Sequence, residues 1–68
     1  MLKNKIKVFR AIQNLTQEEL AKRIGVSRQT ISSIEKGKYV PSVLIALKMS
    51  EIFKVSVNEI FYLDKEEN

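Results

Sequence analysis

Apolar residues recur at three- and four-residue intervals along most of this chain, and short polar stops cut the pattern into helix-sized pieces. Ile6, Phe9 and Ile12 give an inner face to a first helix over residues 4–13. Thr16 opens a second helix, and Glu19 three residues later completes a capping box. Ser27 caps a third helix that runs out at Lys36-Gly37, where glycine suits the left-handed position after a helix. Pro41-Ser42 starts a fourth helix reaching Phe53, and Ser56 with Glu59 forms a second capping box before a short fifth helix over 57–61. Leu2–Lys3 and Tyr62–Leu63 can pair as a small antiparallel ribbon, and residues 64–68 read as a frayed tail. The expected fold class is therefore all-α: one domain over 1–68, with five helices.

Residues 17–36 carry the most information. Leu20, Ile24, Val26, Ile31 and Ile34 point into one core, and Ala21 is small enough for the second and third helices to cross closely. Gly25 permits positive φ, so the chain can stop one helix and restart at a steep angle within three residues. This is helix-turn-helix spacing, whose second helix reads DNA in the major groove.

Arg28, Gln29, Thr30, Ser32 and Ser33 remain outside the core and are the base-reading candidates. Arginine fits guanine O6 and N7, glutamine fits adenine N6 and N7, and a threonine methyl packs on thymine. Ser33 follows Gln29 by about one turn on the same face, and Ser32 lies nearer its edge. Outside this frame such a run would be an ordinary solvated helix face.

Gln17 and Ser27, at helix N-termini, are phosphate candidates, because the free N–H groups there attract anions. Lys36, Lys38 and Tyr39 follow the third helix in a loop expected beside the sugar-phosphate backbone. Competing roles are a solvated first turn for Gln17, charge compensation at a helix end for the lysines, and packing for Tyr39. Arg10 and Glu35 form a structural ion pair if the first helix packs behind the third; otherwise they are unrelated surface charges.

Composition narrows the chemistry. Sixty-eight residues bury little apolar surface, so the domain gains from helix packing or self-association. With no Cys and no His, disulfides, thiolate sites and imidazole chemistry are excluded. Asp64 is the only aspartate, there is no glycine-rich phosphate loop, and Glu18 and Glu19 point in different directions; catalysis finds no constellation. No cofactor, metal or effector pocket is expected. No export signal or bilayer-spanning stretch is visible, which points to a soluble cytoplasmic protein. Of the net charge of +4, residues 1–48 hold +7 and residues 49–68 hold −3. A basic front suits a polyanion, although solubilising charge would look similar.

The stretch Leu15-Thr-Gln-Glu-Glu-Leu-Ala, then Gly25-Val-Ser-Arg-Gln-Thr-Ile and Ile34-Glu-Lys-Gly-Lys-Tyr-Val-Pro-Ser42, resembles the phage repressor and Cro (XRE) type of helix-turn-helix regulator. More narrowly it is similar to the short cytolysin-repressor-like regulators. The resemblance spans about residues 4–61. It implies a five-helix fold, a homodimer and an inverted-repeat operator. It carries base reading onto Arg28, Gln29, Thr30 and Ser33, with Ser32 at the margin. Phosphate contact falls on Gln17, Lys36 and Lys38, with Tyr39 at the margin, and the structural pair falls on Arg10 and Glu35. Ser50 departs from the family's small apolar residue, and a bond back to a carbonyl would accommodate it.

A single domain reading a few base pairs binds weakly, so a two-fold dimer is expected. Val43-Leu-Ile-Ala-Leu47 is apolar on every side, and the dimer region is expected within 42–63. Leu44, Ile45, Ile52, Val55, Ile60 and Tyr62 are its candidates; each can instead fill the domain's own core. The functional reading is a sequence-specific repressor of transcription. An antitoxin or restriction–modification controller would use the same domain, and a protein-interaction module would have lost DNA binding.

Overall fold

The computed structural model describes residues 1–64. The order is β1 (Leu2–Asn4), α1 (Ile6–Ile12), α2 (Gln17–Ile24), α3 (Arg28–Glu35), α4 (Val43–Phe53), α5 (Val57–Ile60) and β2 (Phe61–Leu63). The calls on residues 65–68 lie outside this range. Asp64, expected in the frayed tail, donates its backbone N–H to the Met1 carbonyl at 2.9 Å.

The expected ribbon is present and slightly longer. β1 and β2 pair antiparallel, with Leu2 opposite Leu63, Lys3 opposite Tyr62 and Asn4 opposite Phe61. That pairing moves the start of α1 from Asn4 to Ile6. Asn4 is a strand residue whose side-chain oxygen accepts from the Ile6 N–H at 3.2 Å. Its side-chain nitrogen donates to the Ile34 carbonyl at 3.0 Å, tying the ribbon to the end of α3. Phe61, expected in the fifth helix, opens β2 instead. Ile12 is also corrected: it stands in solvent, and Phe9 alone continues the inner face from Ile6, stacked on Phe53 at 5.6 Å.

Side-chain caps set the helix starts. The Thr16 hydroxyl accepts from the Glu19 N–H at 3.0 Å, and the Glu19 carboxylate accepts from the Thr16 N–H at 2.9 Å. Ser27 and Ser42 accept from the N–H groups of Thr30 and Ile45. Gly25, at φ 94°, closes α2, and the Lys48 ammonium on α4 donates to the carbonyl of Ile24, at the end of that helix. Ser50 bonds forward to the Val55 carbonyl, not back along its helix, and pins the α4–α5 turn.

Leu20, Ala21, Ile24, Ile31 and Ile34 meet Ile6, Met49, Phe53 and Ile60 in one core. On α4, Ile45, Met49 and Phe53 recur every four residues and take the inner face. Ile45 and Ile60 therefore belong to this core and offer no surface to a partner copy, contrary to expectation. Ile52 and Val55 pack against the core while partly exposed, whereas Leu44 and Tyr62 remain exposed. Val43 and Leu47, the ends of the apolar run that opens α4, are exposed as well, and so is Val40 just before it. The hydrophobic runs alone cannot show this, because an all-apolar segment hides which side faces the core.

Bonds first from the Thr16 N–H and then from its hydroxyl lower the Glu19 pKa below the ordinary glutamate value. A lowered folded-state value stabilises above the unfolded pKa and is lost as pH falls through the folded one. Replacement Thr16→Ala should cost about 1 kcal/mol at neutral pH. In urea titrations Glu19→Gln should be less stable than the parent at neutral pH, and that gap should narrow as pH falls below the carboxylate range; a gap that stays constant would remove the ionised box as its cause.

Candidate nucleic-acid interface

α2 and α3 make the most extensive contact of any two elements, and the small, buried Ala21 lies in the core with Ile31 and Ile34. The crossing leaves the first turn of α3 outward: Arg28 and Gln29 are exposed, and Thr30, Ser32 and Ser33 partly so. The Ser27 hydroxyl is taken up by capping, accepting from the Thr30 N–H at 3.1 Å and lying 2.9 Å from the Thr30 hydroxyl.

Arg10 and Glu35 meet. Arg10 Nε donates to Glu35 Oε2 at 2.7 Å and Nη2 to Oε1 at 3.3 Å, a two-pronged pair. Its remaining Nη1 donates to the Leu15 carbonyl at 3.0 Å. The pair is shielded but not sealed, with side chains 14% and 10% exposed. Gln17 joins it, donating from Nε2 to Glu35 Oε1 at 3.1 Å, and its Oε1 accepts from Arg28 Nη1 at 3.2 Å. Helix one, both helices of the turn unit and the leading arginine of α3 are thus linked through side chains. Gln17 keeps one amide hydrogen for another acceptor.

A cleft of about 340 Å³ opens beside this chain, lined by Asn4, Lys7, Arg10, Gln17, Ser32, Glu35 and Lys36. Lys7 and Asn4 are additions that the sequence reading missed. The available signal for Lys7 was its three-residue spacing from Arg10, which places both along one flank of α1; Asn4, a strand residue, left none. Lys36, Lys38 and Tyr39 are exposed beyond α3. Gly37, at φ 78°, turns the chain, and the Lys38 N–H returns to the Ser33 carbonyl at 2.9 Å.

A capped helix pair crossing at a small residue, with a polar first turn exposed on the second helix, defines a helix-turn-helix DNA-binding protein. The Helix-turn-helix family profile matches residues 6–60, and the chain belongs to that family, in its XRE or phage repressor/Cro type. An HTH-type transcriptional regulator of Methanocaldococcus jannaschii is 54% identical over 66 residues, covering 97% of this chain and 100% of the relative. The N-terminal DNA-binding domain of SinR from Bacillus subtilis superposes with a TM-score of 0.72 at 32% identity, covering 93% of this chain and 90% of that one. The restriction-modification controller protein C.AhdI from Aeromonas hydrophila gives a TM-score of 0.72 at 26% identity, over 79% and 82% of the two chains. The protein is accordingly a DNA-binding transcriptional regulator and not an enzyme.

Removing one member of the Arg10–Glu35 pair strands the other in a poorly hydrated place. Arg10→Ala should cost roughly 2–3 kcal/mol, below the range for fully buried pairs because water still reaches the site. The double replacement Arg10→Met with Glu35→Leu should recover part of that loss in urea titrations. A double variant no more stable than Arg10→Ala would mean the loss comes from packing alone.

Proposed function

We propose that this regulator is a repressor that occupies an inverted-repeat operator as a homodimer, with α3 of each copy in the major groove. The carrying observation is the side-chain chain from Arg10 through Glu35 and Gln17 to Arg28. It holds an arginine out at the leading end of α3, where a recognition helix goes deepest. In this reading Arg28, Gln29, Thr30 and Ser33 read base edges, with Ser32 at the rim. Gln17, Lys36, Lys38 and the newly included Lys7 meet phosphate, and Ser27 contributes only through the end of the helix it caps. Repression needs no more than occupancy of promoter DNA, which such a domain supplies.

The second copy is assigned to the face of Val40, Val43, Leu44 and Leu47, which are 70%, 75%, 62% and 53% exposed. Val43, Leu44 and Leu47 share one side of α4 by their spacing. Among the described residues, no helix is long and apolar enough to cross a membrane, and a cytoplasmic location fits this role. Structural likeness to a restriction-modification controller supports that closely related role as a second reading, which the neighbouring gene would separate.

Selection of binding sites from a random duplex pool tests the proposal. The expected winner is a palindrome with half-sites about one helical turn apart, bound with a steep salt dependence. Absence of enrichment would leave specificity to a partner protein. On the selected duplex, Arg28→Ala should cost on the order of 1–3 kcal/mol, and much less on random DNA. Equal losses on both would reduce Arg28 to a phosphate contact.

A further inference from the structure

Beside α3 lies a recess of about 270 Å³ lined by Gln29, Thr30, Ser33, Lys38 and Tyr39. Two parts of the chain build it. Gln29 and Ser33 stand one turn apart on the exposed side of α3, and Lys38 and Tyr39 fold back from the loop that follows. The fold-back is fixed by backbone: Gly37 has φ 78°, its N–H donates to the Ile34 carbonyl at 3.0 Å, and the Lys38 N–H donates to the Ser33 carbonyl at 2.9 Å. These two bonds make a Schellman closure, which sets the loop without help from the core. Tyr39 is left 48% exposed as a wall of the recess.

The lining brings an aromatic ring (Tyr39) and a threonine methyl (Thr30) beside the polar Gln29, Ser33 and Lys38. In the major groove, base edges show donors, acceptors and a single apolar group, the pyrimidine 5-methyl. The lysine here can line the recess with its methylenes while its ammonium reaches outward.

We propose that Tyr39 is a specificity-determining residue which, with Gln29, Thr30 and Ser33, seats a pyrimidine 5-methyl group in the major groove. The proposal replaces the expected phosphate role of Tyr39 and rests on α3 being the base-reading helix. The methyl can come from thymine or from 5-methylcytosine.

The test uses the full chain and the duplex won by selection, with each thymine replaced in turn by deoxyuridine. At one thymine per half-site, loss of the methyl should weaken binding roughly fourfold, the factor that burial of one such group supplies. Tyr39→Phe should keep that discrimination, and Tyr39→Ala should bind both duplexes alike. If the selected position is a cytosine, 5-methylation should strengthen binding by a similar factor, which separates the two sources. Specific binding that is indifferent to every methyl would overturn the proposal while leaving the base-reading role intact. So would a Tyr39→Phe loss equal to that of Tyr39→Ala and uniform across sequences, the behaviour of a phosphate contact. Failure to enrich any duplex would instead remove the base-reading role, and the proposal with it.

Discussion

One carboxylate organises the exposed face of this domain. Glu35 receives two bonds from Arg10 and one from Gln17, and Gln17 in turn receives Arg28. Removing that negative charge would leave the Arg10 guanidinium shielded and uncompensated, and would free Gln17 from its only acceptor in this chain of contacts. The net contribution of such a pair to stability is small, because desolvation offsets attraction. Its value is geometric: a forked arginine against a carboxylate admits few arrangements, so helix one and the turn unit keep a fixed relation.

The two ends of α3 are held by different means. At its start the Ser27 hydroxyl caps the helix and engages Thr30, so the leading turn is ordered before any ligand arrives. At its end a glycine turn folds the following loop back along the helix, and Asn4 reaches across from the ribbon to the Ile34 carbonyl. A helix of eight residues would be marginal alone. Fixed at both ends and along its buried side, it can present side chains without first losing much conformational freedom.

The turn unit was legible in the sequence because each of its signals is local. Thr16 with Glu19, Ser27 and Gly25 mark their own ends, and the apolar spacing of Leu20, Ile24, Ile31 and Ile34 marks the inner side. The Arg10–Glu35 pair is not local: it follows only if the first helix packs behind the third, and the family resemblance strengthens that reading. Asn4 was assigned to a helix because strand pairing with Phe61 leaves no trace in short-range pattern. Among the partner-surface candidates, Ile45 and Ile60 were indistinguishable from Leu44 by residue type; only the rotation of α4 and the docking of α5 decide which is buried. The bond between Gln17 and Arg28 likewise depends on the crossing of two helices, which spacing implies but does not measure.

The ribbon has a consequence for the order in which the chain acquires structure. Leu2 pairs with Leu63, so β1 leaves the ribosome well ahead of β2 and has no partner until the chain between them has emerged. The α2–α3 unit depends on near neighbours and can assemble while synthesis continues. Asn4 sits in that same waiting strand, so its hold on the end of α3 is not secured until the ribbon closes. Nascent chains can thus carry a formed turn unit well before the end of α3 is locked in place.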